Sequence, residues 1–527
     1  MNKFINSMMY NNSRTENYGL THSTSGNALI DMFFLFGAMR HQSDDDIITI
    51  FDAAYKTNRK AAIKLLLYTR DISEGMGERR VFRLCLYYLY VINEHRVIDQ
   101  IIDQMSYLIK SNITRVDDFL YLAQKMLNRR FSVYHKYEYK TKRLPKLINT
   151  RIAFVDDILN TLFTLMEDKE IGPIVAKWMP RKTGQYKYLT RYMRKYNFIE
   201  SYSSYRKQIV GLSNTVEQQM SARDWNNINL EQVPSLSMKK YKTAFFRHEI
   251  MQAYLEKLQK GEAKINAQRL TPGDIVLDLF NKYRGLLNDY PVYGNDGNPL
   301  DSDDLRVLFD AQWNNLKQLD DLPKEFRALP MIDVSGSMFC PNYIPISNSV
   351  GLGLFIAENN PNEVFKNHFI TFTSEPRFQK IVGHDIVSKV ENSLELIGYN
   401  TDIQAAFELI LNKAVDENIP PDEMPTHLII FSDMEFDDSC IEGTSVNALT
   451  MMTELYEEFG YTRPTIVFWN VNGRIGNVPA KDTETDVLLV SGYSQNVVNL
   501  ILKQHYNDVS EMLNVVLENE RYNIISK

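Results

Sequence analysis

Met331-Ile332-Asp333-Val334-Ser335-Gly336-Ser337-Met338 is the stretch on which the fold turns. The apolar run from Ala328 to Ile332 reads as a buried strand, and it ends in Asp-x-Ser-x-Ser. One carboxylate and two hydroxyls therefore fall on a tight turn at a strand's carboxyl end, where open α/β sheets bind ligands. Hard divalent cations take oxygen ligands, and Mg2+ keeps several waters while accepting a few protein oxygens. Asp, Ser and Gly also make ordinary turns, so the motif needs partners elsewhere in the chain.

Two partners stand in matching settings. Ile429-Ile430-Phe431-Ser432-Asp433 is a second apolar run ending in a carboxylate. Gly398-Tyr399-Asn400-Thr401-Asp402 leads into an amphipathic helix predicted over Ile403 to Val415, which puts Thr401 at a loop-to-helix junction. Asp333, Ser335, Ser337, Thr401 and Asp433 then form a hydroxyl-rich site for a hard cation. With no His or Cys among them, zinc is disfavoured, and Mg2+ is expected, with Mn2+ or Ca2+ as alternatives. Asp402 reads as a helix N-cap acid, and Asp437 and Asp438 as solvated loop acids.

Around this motif strands and helices alternate. Apolar runs at Phe369–Phe372, Leu428–Phe431, Ile466–Phe468 and Val487–Val490 are separated by helical patterns at Val350–Ala357, Ile403–Val415, Ala448–Phe459 and Val497–Lys503. That order predicts a doubly wound parallel sheet over residues 328–527. Pro330 suits a strand's first residue better than its interior. Residues 285–327 read as a linker, dense in Gly, Pro, Asn and Asp near its start, followed by a connecting helix over Val307–Leu319.

Upstream the pattern is helical over residues 27–284, with apolar residues at helical spacing in Phe51–Tyr68, Arg80–Ile92, Val97–Ile109, Phe154–Met166 and Phe245–Leu258. Successive helix pairs of this kind predict a bundle or solenoid. Trp225–Met238 reads as a docked loop before a helix near Lys239, and residues 1–26, rich in Asn, Ser and Thr, as a flexible or draped arm. Arg70-Asp71-Ile72-Ser73-Glu74-Gly75-Met76-Gly77-Glu78-Arg79-Arg80 breaks the helices with two glycines. No Gly-Lys-Ser/Thr follows, so it is a turn needing positive φ or a binding loop of another kind, not a phosphate loop.

The charge is uneven. From Ala328 onward there are about 11 Lys and Arg against about 28 Asp and Glu, a net charge near −17; the preceding residues carry about 48 against about 38, near +10. Such asymmetry points to nucleic acid on the N-terminal side. Two windows are basic with interleaved aromatics. Lys125–Arg151 contains Arg129, Arg130, Lys136, Lys140, Lys142 and Arg143 beside Phe131, Tyr134, Tyr137 and Tyr139. Lys177–Tyr196 contains Lys177, Arg181, Lys182, Lys187, Arg191, Arg194 and Lys195, no acid, and Trp178, Tyr186, Tyr188, Tyr192 and Tyr196. Cations meet phosphates and aromatic faces stack on unpaired bases; the alternative is a solvated helix face over half-buried tyrosines. No apolar stretch reaches the ~18–20 residues of a membrane span. Three scattered cysteines, Cys85, Cys340 and Cys440, fit a reducing, cytoplasmic setting.

The loops Asp333–Met338, Asn400–Asp402 and Phe431–Asp437 resemble the three metal-site loops of a von Willebrand factor A domain. The resemblance implies a metal-ion-dependent adhesion site, with Ser335, Ser337 and Thr401 as hydroxyl ligands and Asp333 and Asp433 binding directly or through water. More of the chain resembles a plant and viral family of unknown function, through Lys177–Arg181, Val233–Tyr241, Gly261–Asn266 and Val467–Asn470 together with Arg70–Arg83. Domain order and the Arg70–Arg83 region are also similar to the Ro ribonucleoprotein family, in which a ring of HEAT-like repeats, the TROVE module, is joined to such an A domain and binds RNA.

Three functions compete. One is an RNA-binding ribonucleoprotein component with a basic helical ring and a metal-holding A domain. A second is an interaction scaffold whose metal captures a partner's carboxylate without RNA. The third is an aspartate phosphatase of the haloacid-dehalogenase type. Such enzymes need a second acid two residues after the nucleophile, and that position is Ser335; no triad is present either, so no enzyme is expected. The oligomeric state is open.

Overall fold

The computed structural model describes residues 12–15, 20–127, 144–213, 215–282, 302–319, 323–372, 376–394, 403–436, 448–502 and 504–525. They fall into two compact units, Met1–Gln42 with Asn229–Val515, and Ser43–Ile228 with Val516–Lys527. This division cuts the chain differently from the sequence boundaries: residues 20–42 and 229–282 group with the sheet, and the last residues group with the helices.

The chain opens with an antiparallel pair, β1 (Asn12–Arg14) and β2 (Leu20–His22), inside the stretch expected to be an arm. His22 bridges to Val478, and α1 (Ala28–Phe36), with Asn27 capping the Leu29 N–H, packs on the last strand of the large sheet.

The helical unit follows: α2 (Asp44–Thr57), α3 (Arg59–Arg70), α4 (Arg80–Val91), α5 (His95–Asp103), α6 (Met105–Lys110), α7 (Val116–Leu127), α8 (Leu144–Met166), α9 (Gly172–Trp178), α10 (Lys187–Lys195), α11 (Tyr202–Ser213) and α12 (Val216–Ser221). The single helix expected over Phe51–Tyr68 is two, because Asn58 adopts extended backbone and its side chain caps Ala61. A local cap beats continuous apolar spacing. Val97–Ile109 likewise splits at Gln104. Helix α4 is buried from Val81 to Tyr90, as a helix apolar over most of its surface must be, and its buried cation, Arg83, is paired with acids.

The turn between α3 and α4 is structural. Gly77 adopts φ +70°, and a Cβ on Gly75 would lie 2.0 Å from the Tyr68 carbonyl. Asp71 caps the N–H groups of Ser73 and Glu74 and accepts from Arg521 Nε at 2.6 Å and the Tyr522 hydroxyl at 2.9 Å. Beside it Arg70 Nε donates to Asp118 at 2.8 Å, while Arg83 donates to Asp118 at 2.6 Å and Asp117 at 2.5 Å. Burial alone would raise the Asp118 carboxyl, yet Arg70 and Arg83 hold it below its ordinary range. Removing one member of such a network strands a buried charge.

The chain continues with α13 (Ser235–Phe245), α14 (Glu249–Gln259), α15 (Pro272–Lys282) and α16 (Ser302–Asn314). Helix α13 starts earlier than expected, and the chain breaks again at 246–248, so Phe245–Leu258 is not one helix. Helix α16 begins five residues before Val307, with Asp303 and Asp304 in its first turn, where acids suit the helix dipole.

The sheet domain is then β3 (Ala328–Asp333), α17 (Ile344–Glu358), β4 (His368–Phe372), β5 (Arg377–Lys380), α18 (Ile386–Leu394), α19 (Ile403–Asp416), β6 (His427–Ser432), α20 (Ala448–Glu458), β7 (Thr465–Asn470), β8 (Val487–Ser491), α21 (Asn496–Leu502) and α22 (Val509–Glu518). Strand order is β5-β4-β3-β6-β7-β8, parallel except for β5. The chain is thus mixed α/β, helical first and then a largely parallel sheet. Strands β3, β6, β7 and β8 are buried at every residue, as parallel strands covered on both faces must be. Pro330 is the third residue of β3 and not its first. It pairs with Ile429 on the β6 side, whereas the ladder to β4 begins only at Met331. Its missing N–H therefore falls where one side is unpaired.

Candidate functional site

Adjacent parallel strands β3 and β6 end together, so their carboxyl-end residues meet. Asp333, the last residue of β3, is fully buried; its Oδ1 accepts the Ser335 N–H at 2.9 Å and its Oδ2 accepts the Ser432 hydroxyl at 2.5 Å. The Ser335 and Ser337 hydroxyl oxygens lie 3.3 Å apart. Asp433 follows β6 directly and is buried, and its Oδ2 has no hydrogen-bond partner. Burial pushes the Asp433 carboxyl up to about 7, helped by the nearby charges of Asp333 and Glu435 and opposed by Arg474 and Ser337. Such a carboxyl keeps its proton to near neutral pH unless a cation neutralises the pair.

The structure therefore brings together four of the five sequence-predicted metal ligands: Asp333, Ser335, Ser337 and Asp433. Thr401 lies outside the described residues, as do Asp402, Asp437 and Asp438. Among the described residues no three His, Cys, Asp or Glu side chains cluster as a metal centre. The donor set suits a hard ion: two hydroxyls and two carboxylates, one of which, Asp433, has an orphaned, buried oxygen.

Sequence reading missed the support behind this edge. Glu435 is buried and accepts from Arg474 Nη1 at 3.0 Å and Asn477 Nδ2 at 2.5 Å. The Thr15 hydroxyl donates to the Phe436 carbonyl at 2.6 Å, so the N-terminal segment braces the loop that carries Asp433. The one available signal was the acid at Glu435, two residues past Asp433; neither Arg474 nor Thr15 is near it in the chain.

Residues 15–143 and 153–323 match the family described as Domain of unknown function (DUF2828). The chain belongs to that family. Residues 327–525 match a second family model, Domain of unknown function (DUF7788), so the sheet domain carries its own family signature within this DUF2828 chain. An uncharacterized protein of Acanthamoeba polyphaga mimivirus is 25% identical over 547 residues, covering 96% of this chain and 88% of the viral protein. The crystal structure of the Deinococcus radiodurans RO (RSR) protein aligns with a TM-score of 0.35 at 16% identity, over 92% of this chain and 86% of that one. That likeness is too loose to transfer either fold detail or function.

In this DUF2828 member the second basic window forms a surface. Arg181, Lys182, Lys187, Arg191, Arg194 and Lys195 are exposed, as are Tyr188 at 39% and Tyr196 at 43%. Lys187 and Arg191 lie over the Tyr188 ring at 5.5 and 5.6 Å, and Lys195 lies 5.1 Å from the Tyr196 ring centre. Lys177 differs: it is half-buried and 3.9 Å from Glu217. Tyr186 and Tyr192 are buried, with hydroxyls bound to the Asp117 carbonyl and to Asp156. They are core residues and offer no stacking face. Arg129, Arg130, Lys136, Lys140, Lys142 and Arg143 lie outside the described residues. No helix among the described residues is long and apolar enough to cross a membrane.

Proposed function

We propose that this protein binds RNA through its helical unit and holds a divalent cation at the carboxyl edge of its sheet, without catalysing a reaction. The observation that carries the RNA reading is the surface around α10, where six exposed cations flank two exposed tyrosines with no acid in the window. Phosphate neutralisation supplies affinity there, and Tyr188 and Tyr196 supply faces for unpaired bases. In finer detail, the helices are HEAT-like and the sheet is an A-type domain, its adhesion site formed by Asp333, Ser335, Ser337, Asp433 and Thr401. Mg2+ is the expected ion, ahead of Mn2+ or Ca2+.

Fluorescence anisotropy with a labelled oligouridylate across a salt series tests the RNA reading. The expected result is binding that weakens steeply as salt rises. Absence of binding at low salt would refute it.

A second reading rests on a separate observation. The unpartnered Asp433 oxygen supports a metal-dependent scaffold that captures a partner's carboxylate with no RNA. The two part experimentally: carboxylate capture is lost with a chelator and tolerates salt, whereas RNA binding behaves the other way.

A further inference from the structure

We infer that the open edge of β5 is a docking site for an extended peptide with an acidic residue between two apolar ones, which adds to the sheet as a seventh strand. Among the described residues β5 is the last strand on its side of the sheet, and it runs antiparallel to β4, with His368 opposite Lys380 and Ile370 opposite Phe378. The Ile381 N–H donates to the Asn367 carbonyl at 2.8 Å. Hydrogen-bonded pairs alternate along an antiparallel ladder, so residues 377, 379 and 381 turn their backbone groups toward β4. The N–H and C=O groups of Phe378 and Lys380 therefore point outward, with the Val382 N–H beside them, while the Val382 carbonyl is taken by Asn392.

Side chains mark the same place. The three most exposed large hydrophobic residues among the described residues are Val364 at 78%, Val382 at 61% and Phe378 at 57%. Phe378 and Val382 lie on this edge, and Val364 lies on the loop leading into β4. Phe378 stacks on His368 at 5.3 Å, which holds its ring over the sheet. An exposed edge with unpaired backbone and apolar side chains is a template for strand addition.

The sequence of the edge, Arg377-Phe378-Gln379-Lys380-Ile381-Val382, selects the occupant. A second copy pairs poorly in each symmetric antiparallel register open to the outward-facing residues. Centring on Lys380 sets Lys380 against Lys380. Centring on Phe378 sets Lys380 against Pro376, which has no N–H to give. Centring on Gln379 sets Phe378 against Lys380 twice, centring on Ile381 sets Val382 against Lys380 twice, and centring on Val382 sets Lys380 against His384 twice. Like charges directly opposite one another weaken a ladder, and an apolar–cation pair gains none of the aromatic, β-branched or opposite-charge pairings that strengthen one. An apolar-x-acid-x-apolar strand meets all three positions: the acid faces Lys380, and the apolar residues face Phe378 and Val382. Arg377, Lys380 and His384 are exposed here, in a part of the chain that is otherwise acidic, so a basic strip suits an acidic partner.

The test uses the full chain and two labelled, end-blocked peptides, Thr-Val-Thr-Glu-Thr-Val-Thr and its Lys-for-Glu counterpart. The wild type should bind the Glu peptide on the order of tenfold more tightly, and Lys380→Glu should reverse that order. Amide exchange at Phe378 and Lys380 should slow when the Glu peptide is present. Lys380 is exposed, so the variant should fold, and a matching thermal melt checks this. Equal binding of the two peptides, no binding of either, or unchanged exchange at both amides would overturn the inference. So would a dimer of the free chain that Lys380→Glu dissolves, because that outcome assigns the edge to a second copy.

Discussion

The Ser432 hydroxyl donates to Asp333 Oδ2 across the β3–β6 strand pair at 2.5 Å, while the neighbouring carboxylate oxygen, Asp433 Oδ2, is buried with no partner. The two aspartates therefore carry different loads. Asp333 is part of the fold as well as the candidate site, whereas Asp433 Oδ2 is tied to no other group of the fold.

That difference gives the first prediction. Asp433→Asn should remove Mn2+ binding and leave stability unchanged or slightly higher, since it replaces a buried carboxyl whose ionised form is disfavoured with a neutral amide of the same shape. Asp333→Ala, by contrast, leaves the Ser432 hydroxyl and the Ser335 N–H unpaired in the interior and should cost about 1–3 kcal/mol besides abolishing the ion. Because the Asp333 side chain is fully buried, this variant is not fold-neutral. Electron paramagnetic resonance titration with Mn2+ and parallel thermal melts separate the two variants. Undiminished Mn2+ binding in Asp433→Asn would sink the cation site.

A second prediction concerns α1. Gly37 sits at its C-terminus with ordinary right-handed backbone, φ −63°. An added Cβ would stand 2.5 Å from the Ser491 carbonyl oxygen on β8. Alanine there carries no backbone strain, only overlap, and overpacking of this kind costs about 1–3 kcal/mol. Gly37→Ala should lower the urea midpoint of the unit that contains the sheet. An unchanged midpoint would mean that α1 does not rest on β8.

The alternation of strands and helices from Ala328 onward was legible because buried parallel strands are continuous apolar runs. β5 was not, since Arg-Phe-Gln-Lys has no such run and its place comes from pairing with β4. The apolar stretch Ala28–Phe36 announced burial but not the surface that buries it; that depends on Gly37 meeting Ser491 more than 450 residues away in sequence. The C-terminal tail was equally silent, because Tyr522 is seated by Asp71 through tertiary contact alone. In the site, Asp333 and Asp433 could be read because each ends an apolar run. Arg474 could not, as a lone cation in a loop carries no pattern. Along the basic window, sequence supplied the cations but could not separate the buried Tyr186 and Tyr192 from the exposed Tyr188 and Tyr196.

The third prediction is a pH dependence. His427 opens β6, is buried, and has its ring 4.9 Å from Phe326. Burial pushes its imidazole down to about 4, and the charge of His505 adds to this. Its unfolded value is about 6.5. The unfolded chain therefore binds the proton first, and stability is lost as pH falls below about 6.5, levelling off below the folded value. Between pH 7 and pH 5 the loss from this residue is about 2 kcal/mol. His427→Gln removes that component, so the gap between its melting curve and the wild type's should narrow on acidification. A gap that does not move with pH would contradict the assignment.

The last prediction puts the RNA reading at risk. Arg191, Arg194 and Lys195 are exposed on or beside the outward face of α10, and Leu189, Tyr192 and Met193 form its buried face. Gln at all three positions keeps helix propensity and leaves the buried face alone, so the fold should survive. Removing one cation from a phosphate lowers the slope of log affinity against log salt by roughly 0.7–0.9. The triple variant should therefore flatten the slope by about two units and weaken all RNA sequences alike, because these cations meet the RNA backbone. Tyr188→Ala and Tyr196→Ala should act differently: stacking is worth ~1–3 kcal/mol per base, so affinity for unpaired RNA drops at every salt concentration while the slope stays. Neither set should alter Mn2+ binding at Asp433. Anisotropy titrations on single-stranded and duplex RNA at several salt concentrations read both effects. If the triple variant matches the wild type throughout, the cations of α10 are a solvated helix face and the RNA reading fails.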